Sequence, residues 1–227
     1  MVRFKSGAES KVFKVDLHCH TSDFSACARS SLEEVLEVAF SKLDTLFITE
    51  HHVIYPHEQI NFVLSKYSGL FGILSVIPAQ EVTVYEGGDV LIYGVDFDIP
   101  ARISLKNLRE IVLSYNYDER DVVAIWAHPY RFGAPLVEYV ELMDFIDAIE
   151  VLNGNCTDYE NALAIELAER MGKPMVAGSD AHRAKDVARL YNLSYVPIHN
   201  VGDLKLALKS GKIRPCCLER IVNGSKN

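Results

Sequence analysis

The sequence predicts an α/β protein of one domain whose strands approach the number that closes a barrel, and three observations point there. Short β-type runs alternate with segments of helical period almost from end to end. Seven such runs can be read, one short of the roughly eight strands of a full α/β barrel. The 227 residues suit one compact domain, and no linker-like tract divides them.

The first run, 12–17, precedes an amphipathic segment at 31–42 with a clear start. Ser30 or Ser31 can cap it, Glu33 and Glu34 lie in its first turn, and Leu32, Val35, Leu36 and Ala39 form its apolar stripe. A run at 45–49 leads to a helical segment at 57–67. Runs at 74–83 and 90–95 precede a helix at 104–115, and 122–127 precedes one at 135–143. The sixth run, 148–151, is followed by a helix at 158–171, which Gly172 and Pro174 stop before the seventh run at 174–177. A last helix spans 201–210; residues 1–222 then form the domain and 223–227 a loose tail.

Composition narrows the function. A hydrophobic fraction of 49% and a charged fraction of 24% describe an ordinary globular chain. The net charge of -8 argues against an extended nucleic-acid partner, which needs a basic surface, and favours a compact substrate. Five cysteines, an odd number with no CxxC pair, indicate neither a disulfide framework nor a zinc ribbon and suit a reducing cytoplasm. The first sixteen residues mix Arg3, Lys5, Glu9, Lys11 and Lys14 with few apolar residues, unlike a signal peptide. No apolar run reaches the ~20 residues that span a bilayer, so no membrane partner is expected. The sequence carries no signal of oligomeric state.

Reactive residues gather at the carboxyl ends of strands in parallel α/β folds, and here those ends carry metal-ligand types. The first run ends Leu17-His18-Cys19-His20-Thr21, and residues two apart on a strand share a face, so both imidazoles can aim at one ion. The second ends Thr49-Glu50-His51-His52, the third holds Gln80-Glu81, the fifth ends Ala127-His128-Pro129-Tyr130-Arg131, and the seventh ends Ser179-Asp180-Ala181-His182. A single His at a strand end is usually a hydrogen-bonded structural residue. Recurrence at five of seven strand ends favours a metal centre instead. His57 and His199 lie outside these ends and are read as structural, as is Cys19 between the paired imidazoles.

These motifs resemble the PHP (polymerase and histidinol phosphatase) domain family, whose pattern runs DLHxHT, TDH, a Glu, AHP and SDAH. Here they read Asp16 to Thr21, Thr49 to His51, Glu81, Ala127 to Pro129 and Ser179 to His182, in the family's order across essentially the whole chain. The resemblance implies a distorted (β/α)7 TIM-like barrel, two or three divalent ions (Zn, Mn or Fe) and phosphoester hydrolysis. It also implies a first ion on His18, His20, Glu81 and Asp180, a second on Glu81 and His128, and a third on His51 and His182. Three positions depart from the pattern. Glu50 stands in TDH where the family has Asp, Cys27 lies near where a loop Asp or His often serves the third ion, and Asp89 lies beside the fourth strand where many members have His. Glu50, Cys27 and Asp89 are therefore further candidate ligands, although a turn Asp equally suits Gly87-Gly88-Asp89.

Arg131 can clamp a phosphate through its planar fork or form a surface ion pair. Glu150 and Asn153 can orient a ligating His or cap the following loop; Arg183, and then Arg29, are weaker phosphate candidates. The expected reaction is attack of metal-activated hydroxide on the phosphorus of a small phosphomonoester, with Glu81 and Arg131 as catalytic residues and no separate general acid identified. The loops 55–60, 85–89 and 130–135 suit a nucleotide, sugar phosphate or amino-alcohol phosphate, with a nucleotide slightly preferred. The alternatives are an amidohydrolase-type enzyme, whose barrels also begin with His-x-His, and a non-catalytic metal-binding scaffold.

Overall fold

The computed structural model describes residues 11–67, 74–86, 88–135 and 143–216. Its strands are β1 (Phe13–Asp16), β2 (Thr45–His51), β3 (Ser75–Thr83), β4 (Asp89–Tyr93), β5 (Val123–Ala127), β6 (Ala148–Asn153), β7 (Met175–Gly178), β8 (Asn192–Ser194) and β9 (Ile213–Pro215). The helices are α1 (Leu32–Lys42), α2 (His57–Ser65), α3 (Leu105–Tyr117), α4 (Asp158–Met171) and α5 (Val201–Lys209). All seven expected strands are present. The helix expected at 135–143 and the tail at 223–227 lie, but for the ends of the former, outside the described residues; Met143–Phe145 forms a 3-10 turn. None of the described helices is long and apolar enough to cross a membrane.

Local signals explain the elements. Ser31 caps α1 by accepting from the Glu34 N–H while the Glu34 carboxylate accepts from the Ser31 N–H, and Thr157 and Glu160 repeat this reciprocal cap on α4. Gly172 ends α4 with φ 61°, a left-handed conformation that glycine adopts without strain.

The strands form one nearly closed sheet in the order β7-β6-β5-β4-β3-β2-β1-β8-β9. Four of the eight pairings among the described strands are parallel, but β4 runs antiparallel to both β3 and β5, so the expectation of a wholly parallel set is corrected there. The reason is local: β4 follows β3 through a tight turn, closed by the Val84 N–H on the Gly88 carbonyl at 3.1 Å, with no crossover helix between them. The reversal brings the start of β4, Asp89, to the end of the barrel where β3 and β5 finish, opposite Thr83 and Ala127.

Two short strands went unread. β8 pairs antiparallel with β1 and with β9, and the Asn192 side chain does the work of a missing backbone rung. Its Oδ1 accepts from the Ala177 N–H at 2.8 Å, and its Nδ2 donates to the carbonyls of Ala177 at 2.7 Å and Val15 at 3.2 Å. At the other end, the extensions of β1 and β7 join directly, the His20 N–H meeting the Ala181 carbonyl at 3.0 Å and the Asp180 N–H the His18 carbonyl at 2.8 Å. Asn192→Leu strands three buried backbone groups. It is expected to cost about 3 kcal/mol, a fall in Tm of roughly 6–12 °C; an unchanged melting curve would show that closure does not depend on this amide.

Alternation sorts the strands' two faces. Leu91 and Tyr93 of β4 and Val123, Ile125 and Ala127 of β5 pack with Phe47, Ile77 and Val176, and with Leu204 and Leu208 of α5. Val90, Ile92, Val122, Ala124 and Trp126, one residue out of step, pack against Leu105, Leu108 and Val112 of α3 and Ala164, Leu167 and Ala168 of α4. The first face leads to the site, since Ile77 and Ala79 are followed at the same period by Glu81, and Phe47 and Thr49 by His51.

Candidate metal centre

Glu81 sits at the middle of the cluster that this face delivers. It is 2% exposed, with Oε1 3.0 Å from His128 Nε2 and Oε2 3.1 Å from His20 Nε2, 3.3 Å from His18 Nε2 and 3.3 Å from His51 Nδ1. Asp180 Oδ1 faces the same group at 3.5 Å from His18 Nε2, 3.4 Å from His20 Nε2 and 3.5 Å from His182 Nδ1. The two Nε2 atoms of His18 and His20 are 3.1 Å apart. The structure thus brings together His18, His20, His51, Glu81, His128, Asp180 and His182.

The donor set fits divalent ions. Bonds of about 2.0–2.1 Å in a tetrahedral shell hold neighbouring ligand atoms roughly 3.3 Å apart, and the Nε2, Oε2 and Oδ1 atoms of His18, His20, Glu81 and Asp180 are separated by 3.1–3.5 Å where they face one another. Asp180 Oδ1 is also buried without a hydrogen-bond partner among the described residues, an arrangement that costs free energy unless a cation satisfies it. Three overlapping sets have ligand atoms all within 4.8 Å of one another: His18, His20 and Asp180; His18, Glu81 and His128; and His20, His51 and His182. The sets share His18 and His20, so these two stand closer to the second and third sets than the expected assignment had them.

Other elements hold these side chains in place. Glu150 Oε1 lies 3.0 Å from His18 Nδ1, which turns Nε2 toward the cluster, and Oε2 accepts from the His128 N–H at 3.0 Å and from Asn153 Nδ2 at 2.9 Å. Asp16, fully buried, accepts from the backbone N–H groups of His18, Ser179 and Ala188, tying the two ligand-bearing strand ends together. Asn155, which sequence reasoning missed, donates to the Asp180 carbonyl at 2.7 Å. Nothing but its place in Asn153-Gly154-Asn155, after a ligand-rich strand, marks it in the sequence. His128 and Asp180 both have positive φ, 27° and 48°, backbone strain of about 1–3 kcal/mol each that the surrounding bonds must hold.

The three departures from the family pattern fall differently. Glu50 turns away from the cluster, one oxygen accepting from the Thr21 N–H at 3.0 Å and its hydroxyl at 2.5 Å, the other from the Ser25 hydroxyl. The longer side chain reaches the preceding loop, so Glu50 is placed as a loop anchor and joins none of the three sets. Asp89 is buried, accepts from the Thr83 hydroxyl at 2.6 Å and also joins none. Cys27 is exposed on a cleft at the rim, with Arg29, Arg131 and Arg183. Arg131 Nη1 lies 2.5 Å from Asp180 Oδ2. His57 and His199 line a separate cleft beside the start of α2, and His199 Nδ1 bonds the Ser75 hydroxyl at 2.9 Å. Cys19 is buried in the wall among Leu32, Val35 and Ile48.

The electrostatics are those of a cation trap. Burial alone would lower His18, but Asp180, Glu150 and Glu81 hold it well above the usual imidazole range. Burial likewise opposes the shift in His20, which Asp180 and Glu81 carry up to about 9. Burial would raise Glu81 and Asp180, yet the facing imidazoles hold both below the usual carboxylate range. His51 differs: burial takes it down to about 4. Metal binding requires the imidazoles as free bases, so raised pKa values oppose loading at low pH and the opposition fades as pH rises toward about 9. Mn2+ titrated into chelator-stripped protein is therefore expected to release protons at neutral pH, with log affinity rising by about one per pH unit for each proton displaced. An affinity independent of pH across this window would contradict it.

Known proteins bear on this geometry. A PHP-associated family model matches residues 158–213. An uncharacterized protein of Methanocaldococcus jannaschii is 25% identical over 200 residues, 84% of this chain and 75% of that protein. Among solved structures, PsfC from Pseudomonas syringae superposes with a TM-score of 0.68 at 17% identity, covering 95% of this chain and 96% of that one. A structure from Bifidobacterium adolescentis assigned to the metal-dependent phosphoesterases superposes with a TM-score of 0.54 at 13% identity, covering 74% and 87%. The PHP-associated match spans α4 to the start of β9, and the two solved structures share the barrel fold.

Proposed function

We propose that the protein is a metal-dependent phosphoesterase acting on a small phosphomonoester. The observation that carries this reading is the position of Glu81, one buried carboxylate that faces His128 with one oxygen and His18, His20 and His51 with the other. In this reading His18, His20, Glu81 and Asp180 hold one divalent ion, Glu81 and His128 a second, and His51 and His182, with His20 beside them, a third. The nitrogen and oxygen donors suit zinc, manganese or iron. Bound there, the ions would supply Lewis acidity toward the phosphoryl oxygens and the attacking water.

The chain's own residues supply the rest. Glu150 fixes the ring of His18 by its Nδ1 and the backbone of His128 by its N–H, so two candidate ligands are aimed by one buried carboxylate. Asn155 holds the Asp180 carbonyl against the strain of its positive φ. Arg131, partly exposed at the rim and paired with Asp180, offers its remaining N–H groups to a phosphoryl oxygen as charge redistributes over the group. The fold shared with the bifidobacterial structure assigned to the metal-dependent phosphoesterases supports this reading.

The test is phosphate release from a panel of nucleotides, sugar phosphates and amino-alcohol phosphates by chelator-stripped protein before and after Mn2+ is restored. Release only after restoration is expected. Hydrolysis of lactones or amides without phosphate release would move the assignment to an amidohydrolase, and retained metal with no ester turned over would move it to a binding role.

A further inference from the structure

Four of the candidate ligands are held from behind by two side chains that divide the work in the same way. Glu150 bonds the His18 ring at Nδ1 and the backbone N–H of His128. Ser25 repeats the pattern for another pair: its hydroxyl oxygen lies 3.4 Å from His20 Nδ1 and accepts from the His51 N–H at 3.3 Å. Ser25, His20 and Glu50 are all buried. The backbone of Ser25 is pinned on both sides, its N–H donating to the Thr21 carbonyl at 3.0 Å and its carbonyl accepting from the Ala28 N–H at 3.0 Å. The hydroxyl is therefore in place before any ion arrives.

A serine hydroxyl has one proton to give and two lone pairs. Here the proton goes to Glu50, one of whose oxygens accepts from the Ser25 hydroxyl while the other takes the Thr21 N–H at 3.0 Å and its hydroxyl at 2.5 Å. With its proton committed, the Ser25 oxygen can only accept, from the His51 N–H and from the His20 ring. The proton of the neutral His20 imidazole then sits on Nδ1, and the lone pair of Nε2 points toward Glu81 Oε2 and Asp180 Oδ1, 3.1 and 3.4 Å away.

We propose that Glu50 and Ser25 form a relay that positions His20 as an Nε2 metal ligand, so that a carboxylate outside all three ligand sets governs two of them. The inference rests on reading the cluster as a metal centre and adds two positioning residues to it. His20 belongs to the set with His18 and Asp180 and to the set with His51 and His182, but not to the set of His18, Glu81 and His128. Loss of the relay weakens the first two and spares the third. Ser25→Ala removes the hydroxyl. Glu50→Gln keeps the size but brings an NH2 group; donated to Ser25, it turns the hydroxyl into a donor toward His20 and moves the ring proton to Nε2, where it blocks ligation.

The test uses the full chain, isotope-labelled at the histidine nitrogens, stripped with chelator and reloaded with Zn2+ as a diamagnetic probe. Calorimetry follows uptake, and long-range proton–nitrogen correlation spectra report the state of each ring nitrogen. In the parent, His20 is expected to show a protonated Nδ1 and a metal-bound Nε2. In both variants Zn2+ affinity is expected to fall by about 10–100-fold at the sets that contain His20, with near-parental affinity kept at His18, Glu81 and His128 and the His20 proton no longer fixed on Nδ1. A loosened loop would not move that proton, so the spectrum separates positioning from packing. A parent His20 bound through Nδ1 overturns the relay, even where a variant fails to fold. A parent that takes up no Zn2+ removes the metal centre and the relay together, whereas uptake by the parent with unaltered affinity and His20 signals in the variants removes the relay alone. Phosphate release enters neither arm.

Discussion

Glu81→Gln is expected to lower phosphate release by about 10³-fold or more, the equivalent of roughly 4 kcal/mol in the barrier, while the barrel stays folded. The carboxylate touches four imidazoles at 3.0–3.3 Å, and its negative charge is what opposes theirs in the absence of a cation and what joins two ligand sets in its presence. Gln keeps the volume and one oxygen but brings an NH2 group that cannot ligate and removes the charge. Metal content should fall together with turnover. A Gln variant with parental turnover would remove Glu81 from the centre of the account, whatever happened to stability.

Gly178→Ala is expected to damage the site from behind without touching any candidate ligand's identity. A Cβ at this position would lie 2.1 Å from Glu150 Oε1 and 2.5 Å from His18 Cβ, so the carboxylate and the imidazole that it orients must move apart. Both are fully packed, and neither has a free direction in which to yield. Loss of such an orienting contact should weaken metal affinity by about 10–100-fold, with an overpacking cost of about 1–3 kcal/mol. Metal titration and thermal melting read the two effects separately. An Ala variant with parental metal affinity would show that the bond between Glu150 and His18 is not what aims the ring.

Much of this arrangement was legible in the sequence because apolar runs and the residues at their ends report directly on strand position and face. The residues brought together around Glu81 lie at or just past the ends of β1, β2, β3, β5 and β7. What stayed hidden depends on tertiary pairing. Three-residue strands such as β8 and β9 are too short to show a period, and the closing bonds of Asn192 come from one polar side chain whose partners lie 15 and 177 residues away. The reversed direction of β4 is likewise absent from its apolar pattern, since either direction presents the same alternation; only the tight Gly-rich turn before it distinguishes them. Glu50 illustrates the limit for single residues. Its position beside His51 suggested a ligand, but hydroxyls from Thr21 and Ser25, some thirty residues earlier, claim both of its oxygens.

The most direct test of the account follows phosphate release as Mn2+ is returned to chelator-stripped protein, with His128→Ala in parallel, using whichever phosphomonoester of the panel responds. His128 Nε2 lies 3.0 Å from Glu81 Oε1, whereas His20 and His51 face Oε2, so its loss removes one ligand set and spares the other two. The account predicts that parental turnover rises with metal bound, and that the variant binds less metal per chain and releases little phosphate at any loading. Equal turnover in the two proteins, or parental turnover that persists after the metal is stripped, would contradict it.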